Sequence, residues 1–310
     1  MAQIGFVGLG KMGGNMVARI RRDSDHEVVV TDLSMEAIER AVGVGAVSAE
    51  DLEDMVGKLD APRTVWIMVP AGKPTQDTVD QLAELLEPGD AIVDGGNSKW
   101  TDDIARAETL AVKDIGYVDV GTSGGVWGLD VGYCMMVGGP DDAVGRLAPF
   151  LDLLAPPATE EHGPGWGHMG PTGSGHYVKM VHNGIEYGVM QAYAEGFDIF
   201  DKSQFELDNA KIAHLWMQGS VIRSWLCELA ALAFEQHGND LGDLSAFTAD
   251  SGEGRWTIEE AMGKDVPTPV ITGALTARFY SRGNADYTGR VLSALREQFG
   301  GHATQKHADG

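Results

Sequence analysis

The chain has 310 residues, 43% of them hydrophobic, enough to bury one large core or two ordinary ones. Its 46 acidic and 23 basic residues leave a net charge of −23, which repels nucleic acid and anionic membranes. No apolar run reaches the ~18 residues of a spanning helix, MAQIGFVGLG lacks the basic start of a signal peptide, and two cysteines are too few for a disulfide framework. The expected compartment is therefore reducing cytoplasm, with Cys134 and Cys227 packed as core residues and no metal site. The acidity suits either a protein kept soluble in high salt or an ordinary acidic cytosolic enzyme.

In chain order, QIGFVG, EVVVT, TVWIMV, AIVDGG, YVDVG and YCMMVGG are short, rich in Val, Ile or aromatics, and bounded by Gly, Asp or Pro, as strands are. Helical patterns such as MGGNMVARIRRD and PTQDTVDQLAELLEPG lie between them. This alternation predicts an α/β Rossmann-type domain, a parallel sheet covered by helices. The Pro- and Gly-dense stretch 155–175 is the expected boundary, giving a dinucleotide-binding domain over 1–172 and a helical domain over 173–310. Expected helices of the second part are 176–201, 206–237, 255–263, 268–281 and 286–299. HATQKHADG resembles a frayed tail.

The first motif is IGFVGLGKMGGNM, which puts Gly8, Gly10 and Gly13 between a strand and a helix. Gly8 allows the tight turn, Gly10 lets a pyrophosphate approach the backbone, and Gly13 lets helix and strand pack. Asp32 ends the second strand about 20 residues later, where a carboxylate binds ribose hydroxyls and repels a 2′-phosphate. Leu33 and Ser34 offer that phosphate no cation, so NAD is expected over NADP. Asp32 also suits a helix N-cap.

Ligands of open α/β sheets bind at the carboxyl ends of the strands. Two loops fall there: DGGNS, with Asn97, and TSGGVWG, with Ser123, Gly124 and Gly125, whose main-chain N–H groups suit an anion. Each alone is also an ordinary capped turn. GSGHYVKMVHNGIEYG then aligns Lys179, His182, Asn183, Glu186 and Tyr187 on one helical stripe. A second stripe, Val178, Val181, Ile185 and Val189, is the expected docking face. A lysine facing a nicotinamide suits a general base for alcohol oxidation if partial burial and cationic neighbours keep it neutral part of the time. Glu186 is placed to act as a separate acid. A solvated polar face is the bland alternative. Arg255 and Thr257 in SGEGRWT, Arg278 and Arg282 in LTARFYSR, and Arg296 and His302 in LREQFGGH are candidate ligands for a phosphate or sugar acid.

Taken together, GLGKMG, DGGNS, SGG, GHYVKMVHNGIEYG, GEGRWT, ARFYS and REQFGGH resemble the 6-phosphogluconate dehydrogenase family, over nearly the whole chain. The length resembles the family's short form, which lacks half of the helical domain. The resemblance implies oxidative decarboxylation of 6-phosphogluconate, a phosphorylated sugar acid, to ribulose 5-phosphate in the pentose phosphate pathway. It implies that Lys179 is the general base and Glu186 the acid that protonates the enediol. Gly8, Gly10, Lys11, Met12, Gly13, Asp32, Val69 and Asn97 would then meet the cofactor. Asn97, Ser123, Gly124, Gly125, His182 and Asn183 would hold the sugar acid, and Tyr187, Arg255, Thr257 and Arg278 its phosphate. Arg296 and His302 match a pair that enters from the neighbouring subunit, implying a homodimer, or a tetramer of dimers, with shared sites.

This chain departs from the long form in three ways. It has Gly10 where alanine is typical and no arginine after Asp32, it has Arg255 in place of a lysine, and its length leaves out half of the helical domain. The closest alternative is a β-hydroxyacid dehydrogenase of the 3-hydroxyisobutyrate type. That reading needs neither His182, Glu186 and Tyr187 nor the arginines. A non-catalytic NAD-sensing module has no use for a paired Lys179 and Glu186.

Overall fold

A computed structural model describes residues 2–283 and 286–300. The chain divides into two compact units, Met1–Met180 and Val181–Gly310.

The first unit is an eight-stranded sheet. Its strands are β1 (Gln3–Val7), β2 (Glu27–Thr31), β3 (Val47–Ser48), β4 (Thr64–Ile67), β5 (Ala91–Asp94), β6 (Gly116–Ser123), β7 (Cys134–Gly138) and β8 (Trp166–Gly170), in the order β3-β2-β1-β4-β5-β6-β7-β8. The connecting helices are α1 (Lys11–Asp23), α2 (Met35–Gly43), α3 (Leu52–Lys58), α4 (Lys73–Leu85), α5 (Trp100–Ala111), the short α6 (Gly128–Val131) and α7 (Asp141–Leu154). Strand residues alternate between two cores. Val28, Val30, Trp66 and Val93 face the core shared with α1, α2 and α7. Val29, Val65, Ile67 and Ile92 face the one shared with α3 and α4. Burial on both faces is why these strands read as continuous apolar runs.

Three features differ from the expectations. β7 runs antiparallel to β6, from Asp119 opposite Gly138 to Ser123 opposite Cys134. β3 and β8 were not expected: the first has two residues, and the second lies inside the Pro- and Gly-dense stretch. Cys134, at the exposed start of β7, is not a core residue, whereas Cys227 is buried.

α8 (Ser174–Asp201) starts in the first unit and runs on into the second. The second unit adds α9 (Asn209–Trp216), α10 (Trp225–His237), α11 (Glu253–Gly263), α12 (Pro269–Tyr280) and α13 (Asp286–Gly300). The expected helix 206–237 is thus two helices. The chain breaks after Trp216, Gly219 takes a φ of +79°, and Ser224 restarts the helix by accepting from the Cys227 amide at 3.1 Å. α9, α10 and α8 share a core of Phe197, Ala213, Cys227, Ala231 and Phe234.

Candidate functional site

In the first unit, Gly8 has φ +93° and lies so close to β4 that a Cβ would fall 2.6 Å from the Met68 carbonyl oxygen. A Cβ on Gly13 would fall 2.1 Å from the Gly8 oxygen, so helix and loop meet through glycine alone. Gly10, the N-cap of α1, is different: nothing lies within 4 Å of its missing Cβ. No side chain caps α1 and its first turn carries no acid, so its amide N–H groups and positive dipole end are unneutralised. Lys11 is exposed and Met12 half-buried there. This open, positive helix end behind a strained glycine turn fits a dinucleotide pyrophosphate. Asp32 accepts from the Leu9 amide at 2.5 Å and from the Ser34 amide at 2.7 Å, which fixes its carboxylate beside the glycine loop. Leu33 is fully exposed and Ser34 caps α2. Val69 touches the Gly8 position, its carbonyl faces Gly96, and Asn97 is exposed in the same group of loops.

Lys179 is buried against β6. A Cβ on Gly121 would fall 2.3 Å from the Lys179 Cβ, and one on Gly175 would meet the Met136 and Asp119 carbonyls at 2.4 and 2.6 Å. Gly121 lies two residues before Ser123, so Lys179 stands beside the strand that leads into Ser123, Gly124 and Gly125. Gly125 is unobstructed, with φ +55°.

What orients this first turn of α8 was missed in the sequence. Asp119, fully buried, accepts from the Gly173 and His176 amides at 2.6 and 2.7 Å, acting as a cap supplied by β6. The His176 ring joins α5 through Nδ1 to Asp103 at 2.7 Å, and the DGGNS loop through Nε2 to the Gly96 oxygen at 3.1 Å. Asp94 accepts from Ser98 at 2.7 Å and from the Tyr117 hydroxyl at 2.9 Å, while Arg106 lies 3.4 Å from Asp94 and 3.5 Å from Asp103. Burial alone would lower the His176 pKa. The Asp103 carboxylate, then Asp94 and Asp119, more than reverse this and raise it to about 10. Burial raises Asp103 to about 6 against the pull of His176. Asp94, Asp103 and His176 are close enough to share a cation, but Arg106 already supplies positive charge to both carboxylates. The legible signal was an acid inside each buried strand run, AIVD and YVDV.

In the second unit, Asn183 and Tyr187 are buried, while His182 and Glu186 are half-exposed and 4.0 Å apart. His182 Nδ1 lies 3.0 Å from the Asn183 oxygen. The expected docking stripe is corrected: Val178 and Ile185 are exposed and Val181 and Val189 only half-buried, whereas Lys179, Asn183 and Tyr187 of the polar stripe are buried. The reason is glycine on that side. Gly184 admits Thr257 and Gly188 admits Val270 against the helix. Thr257 is buried and donates to the Glu253 carbonyl at 2.9 Å. Arg278 stacks 3.6 Å from the Tyr187 ring centroid, and the Tyr187 hydroxyl accepts from the Ser251 amide at 3.2 Å. Arg255 lies 4.6 Å from the Phe279 ring centroid. The Arg296 side chain, and His302 altogether, lie outside the described residues.

Residues 3–163 match the family described as NAD binding domain of 6-phosphogluconate dehydrogenase, and residues 175–308 match the 6-phosphogluconate dehydrogenase C-terminal domain. A Haloferax volcanii protein named 6-phosphogluconate dehydrogenase, NAD(+)-dependent, decarboxylating, is 44% identical over 99% of this chain and 100% of its own length. A putative 6-phosphogluconate dehydrogenase of Bacillus subtilis is 40% identical over 98% of this chain and 99% of its own. The solved 6-phosphogluconate dehydrogenase of Plasmodium falciparum is similar with a TM-score of 0.81 at 28% identity, over 99% of this chain and 67% of that one.

Proposed function

The chain belongs to the 6-phosphogluconate dehydrogenase family, and from that premise we propose that it oxidises and decarboxylates 6-phospho-D-gluconate to D-ribulose 5-phosphate and CO2, with NAD as oxidant. The observation that carries the substrate reading is the cluster of Arg255, Arg278 and Arg282 around Tyr187 and Asp250, in a chain of net charge −23. Such a cluster suits a phosphate dianion and has no use in a dehydrogenase of unphosphorylated acids.

Gly8, Gly10, Lys11, Met12 and Gly13 would hold the NAD pyrophosphate at the start of α1, Asp32 its ribose, and Val69 and Asn97 the side nearer the nicotinamide. Bound NAD supplies the hydride acceptor for C3 of the sugar acid. Lys179, neutral at that moment, takes the C3 hydroxyl proton and so leaves a 3-keto acid. It returns the proton to the keto oxygen as the C1–C2 bond breaks and CO2 departs with its electrons left on the sugar. Glu186 then protonates the enediol carbon that becomes C1 of the product. Ser123, Gly124, Gly125, Asn97, His182 and Asn183 orient the polyol and carboxylate, and Tyr187, Arg255, Thr257 and Arg278 take the phosphate.

Residues 1–172 hold the dinucleotide and lend Asn97, Ser123, Gly124 and Gly125 to the substrate, and residues 173–310 supply the other substrate groups and the subunit contacts, in a cytoplasmic homodimer or a tetramer of dimers. The test is a panel of 6-phosphogluconate, gluconate and 3-hydroxyisobutyrate, each with NAD and with NADP. The expected result is NADH with equimolar CO2 from 6-phosphogluconate. Oxidation of 3-hydroxyisobutyrate alone would reassign the chain to the β-hydroxyacid dehydrogenases, and no turnover at all would favour a sensor.

A further inference from the structure

Three consecutive residues each hold an arginine. The Thr248 carbonyl accepts from Arg282 Nε at 2.8 Å, and the Ala249 carbonyl accepts from Arg278 at 2.9 Å. The Asp250 carboxylate accepts a two-pronged fork from Arg255, Nε at 2.9 Å and a terminal nitrogen at 3.0 Å. Asp250 also accepts from Arg282 at 2.8 Å and from the Gly252 amide at 3.1 Å. Its side chain is 5% exposed against 45% for Arg255. The Arg255 fork, opposed by burial and helped by Arg282, holds the Asp250 carboxyl well below the usual carboxylate range.

The four hydrogen bonds use the acceptor capacity of the two oxygens, and a carboxylate has no proton to offer an anion. Asp250 is therefore no ligand for a phosphate. It does settle where Arg255 points. A lysine has one nitrogen and could not both grip Asp250 in parallel and keep donors facing outward, whereas a guanidinium has five N–H groups in a rigid fork. Within this group, three arginines less one carboxylate carry a charge of +2, opposite to that of a phosphate monoester, with Glu259 a further acid acting on Arg255.

We propose that Asp250 is a positioning residue for substrate phosphate: with the Thr248 and Ala249 carbonyls it fixes Arg255, Arg278 and Arg282 into a preformed dianion seat, and this is why arginine stands at 255. The inference rests on the 6-phosphogluconate reading above. It makes a prediction of sign. By charge alone, Asp250→Asn removes a repulsive carboxylate and should tighten phosphate binding. If orientation dominates, binding weakens.

The experiment compares wild type, Asp250→Asn, Arg255→Lys and the double variant. It reads KM for 6-phosphogluconate, for gluconate and for NAD, and calorimetric binding of 6-phosphogluconate without NAD. We expect the 6-phosphogluconate KM and dissociation constant to rise roughly tenfold in each single variant, the loss of about one charge-assisted hydrogen bond. Gluconate should suffer far less, with the NAD KM nearly constant as the sign of an intact fold. The double variant should lose little more than either single one, because both break the same fork. An unchanged or lower 6-phosphogluconate KM in Asp250→Asn would overturn the clamp while leaving the substrate assignment standing. Wild type that neither binds nor oxidises 6-phosphogluconate would sink both. If Asp250→Asn yields no folded protein, Arg255→Lys carries the test: a wild-type KM there overturns the fork.

Discussion

His176 Nδ1 lies 2.7 Å from the Asp103 carboxylate, with both side chains buried beneath the first turn of α8. The other ring nitrogen faces the Gly96 carbonyl, an acceptor only. An imidazole between an ionised carboxylate and a carbonyl satisfies both only as the doubly protonated imidazolium. The charged groups around it are Asp94 from β5, Asp103 and Arg106 from α5, and Asp119 from β6, so one net negative charge remains with His176 protonated.

The pair gives stability a pH dependence. The His176 pKa is about 10 in the folded chain, against about 6.5 unfolded. Its contribution is complete below about pH 6.5 and is lost as pH rises through 10, because the folded state keeps a proton that the unfolded state has released. Asp103, raised to about 6, acts with the same sign at lower pH. Urea titrations should therefore show wild type losing stability between pH 7 and pH 9.5, with His176 supplying up to about 1.4 kcal/mol per pH unit. His176→Gln should start lower at pH 7, by roughly 3–5 kcal/mol for a broken buried pair, and fall less steeply. Equal slopes would mean that the proton is not held where this geometry puts it.

Gly121 and Lys179 give a kinetic prediction. A methyl at 121 would overlap the Lys179 Cβ at 2.3 Å and press on the Gly175 oxygen at 2.9 Å. Gly121→Ala should cost about 1–3 kcal/mol of stability by overpacking. Its turnover should fall by roughly 100-fold, the scale of an ångström-sized misplacement of a catalytic group. Lys179→Met should remove turnover while NAD affinity persists. Near-normal rates in Lys179→Met would end its assignment as the base.

The parts legible in the sequence are those whose partners are near in the chain or fixed by a turn. Gly8, Gly10 and Gly13 belong to one strand-turn-helix, and Asp32 meets Leu9 because neighbouring parallel strands end together. The His176–Asp103 pair joins residues 73 apart, and nothing local to either announces the other. The apolar stripe of α8 misled for a similar reason. Which face is covered was decided by Gly175, Gly184 and Gly188, which let neighbours approach the polar side, and a glycine reads as neither apolar nor polar. Cys134 has the composition of a core residue but begins its strand at an exposed position.

On the proposed reading, Asp32 sets coenzyme choice. Exposed Leu33 offers no cation to a 2′-phosphate. Exchanging Asp32→Asn with Leu33→Arg should move selectivity toward NADP by roughly 1–3 kcal/mol, the scale of charge-assisted contacts. The structure adds a cost. Both carboxylate oxygens accept backbone N–H groups, from Leu9 and Ser34. An asparagine can accept only one of these well, so NAD affinity should fall along with the gain in NADP use. Kinetic constants for both coenzymes measure the two effects separately, and a wild type that already prefers NADP would refute the role of Asp32.

On α13, Tyr287, Val291, Leu292 and Leu295 are all exposed, a helix face without cover among the described residues. Arg296 follows directly, and His302 lies six residues further on. If a second copy covers that face, its substrate receives both groups from the neighbour. Arg296→Ala should then raise the KM for 6-phosphogluconate at least about tenfold, the loss of a charge-assisted phosphate contact, with NAD affinity nearly unchanged. Mixing an inactive Lys179→Met chain with an inactive Arg296→Ala,His302→Ala chain under subunit exchange should restore part of the activity. Each mixed dimer would then assemble one site with an intact Lys179 and an intact tail. No recovery, with exchange confirmed by mass, would mean that each tail serves its own chain.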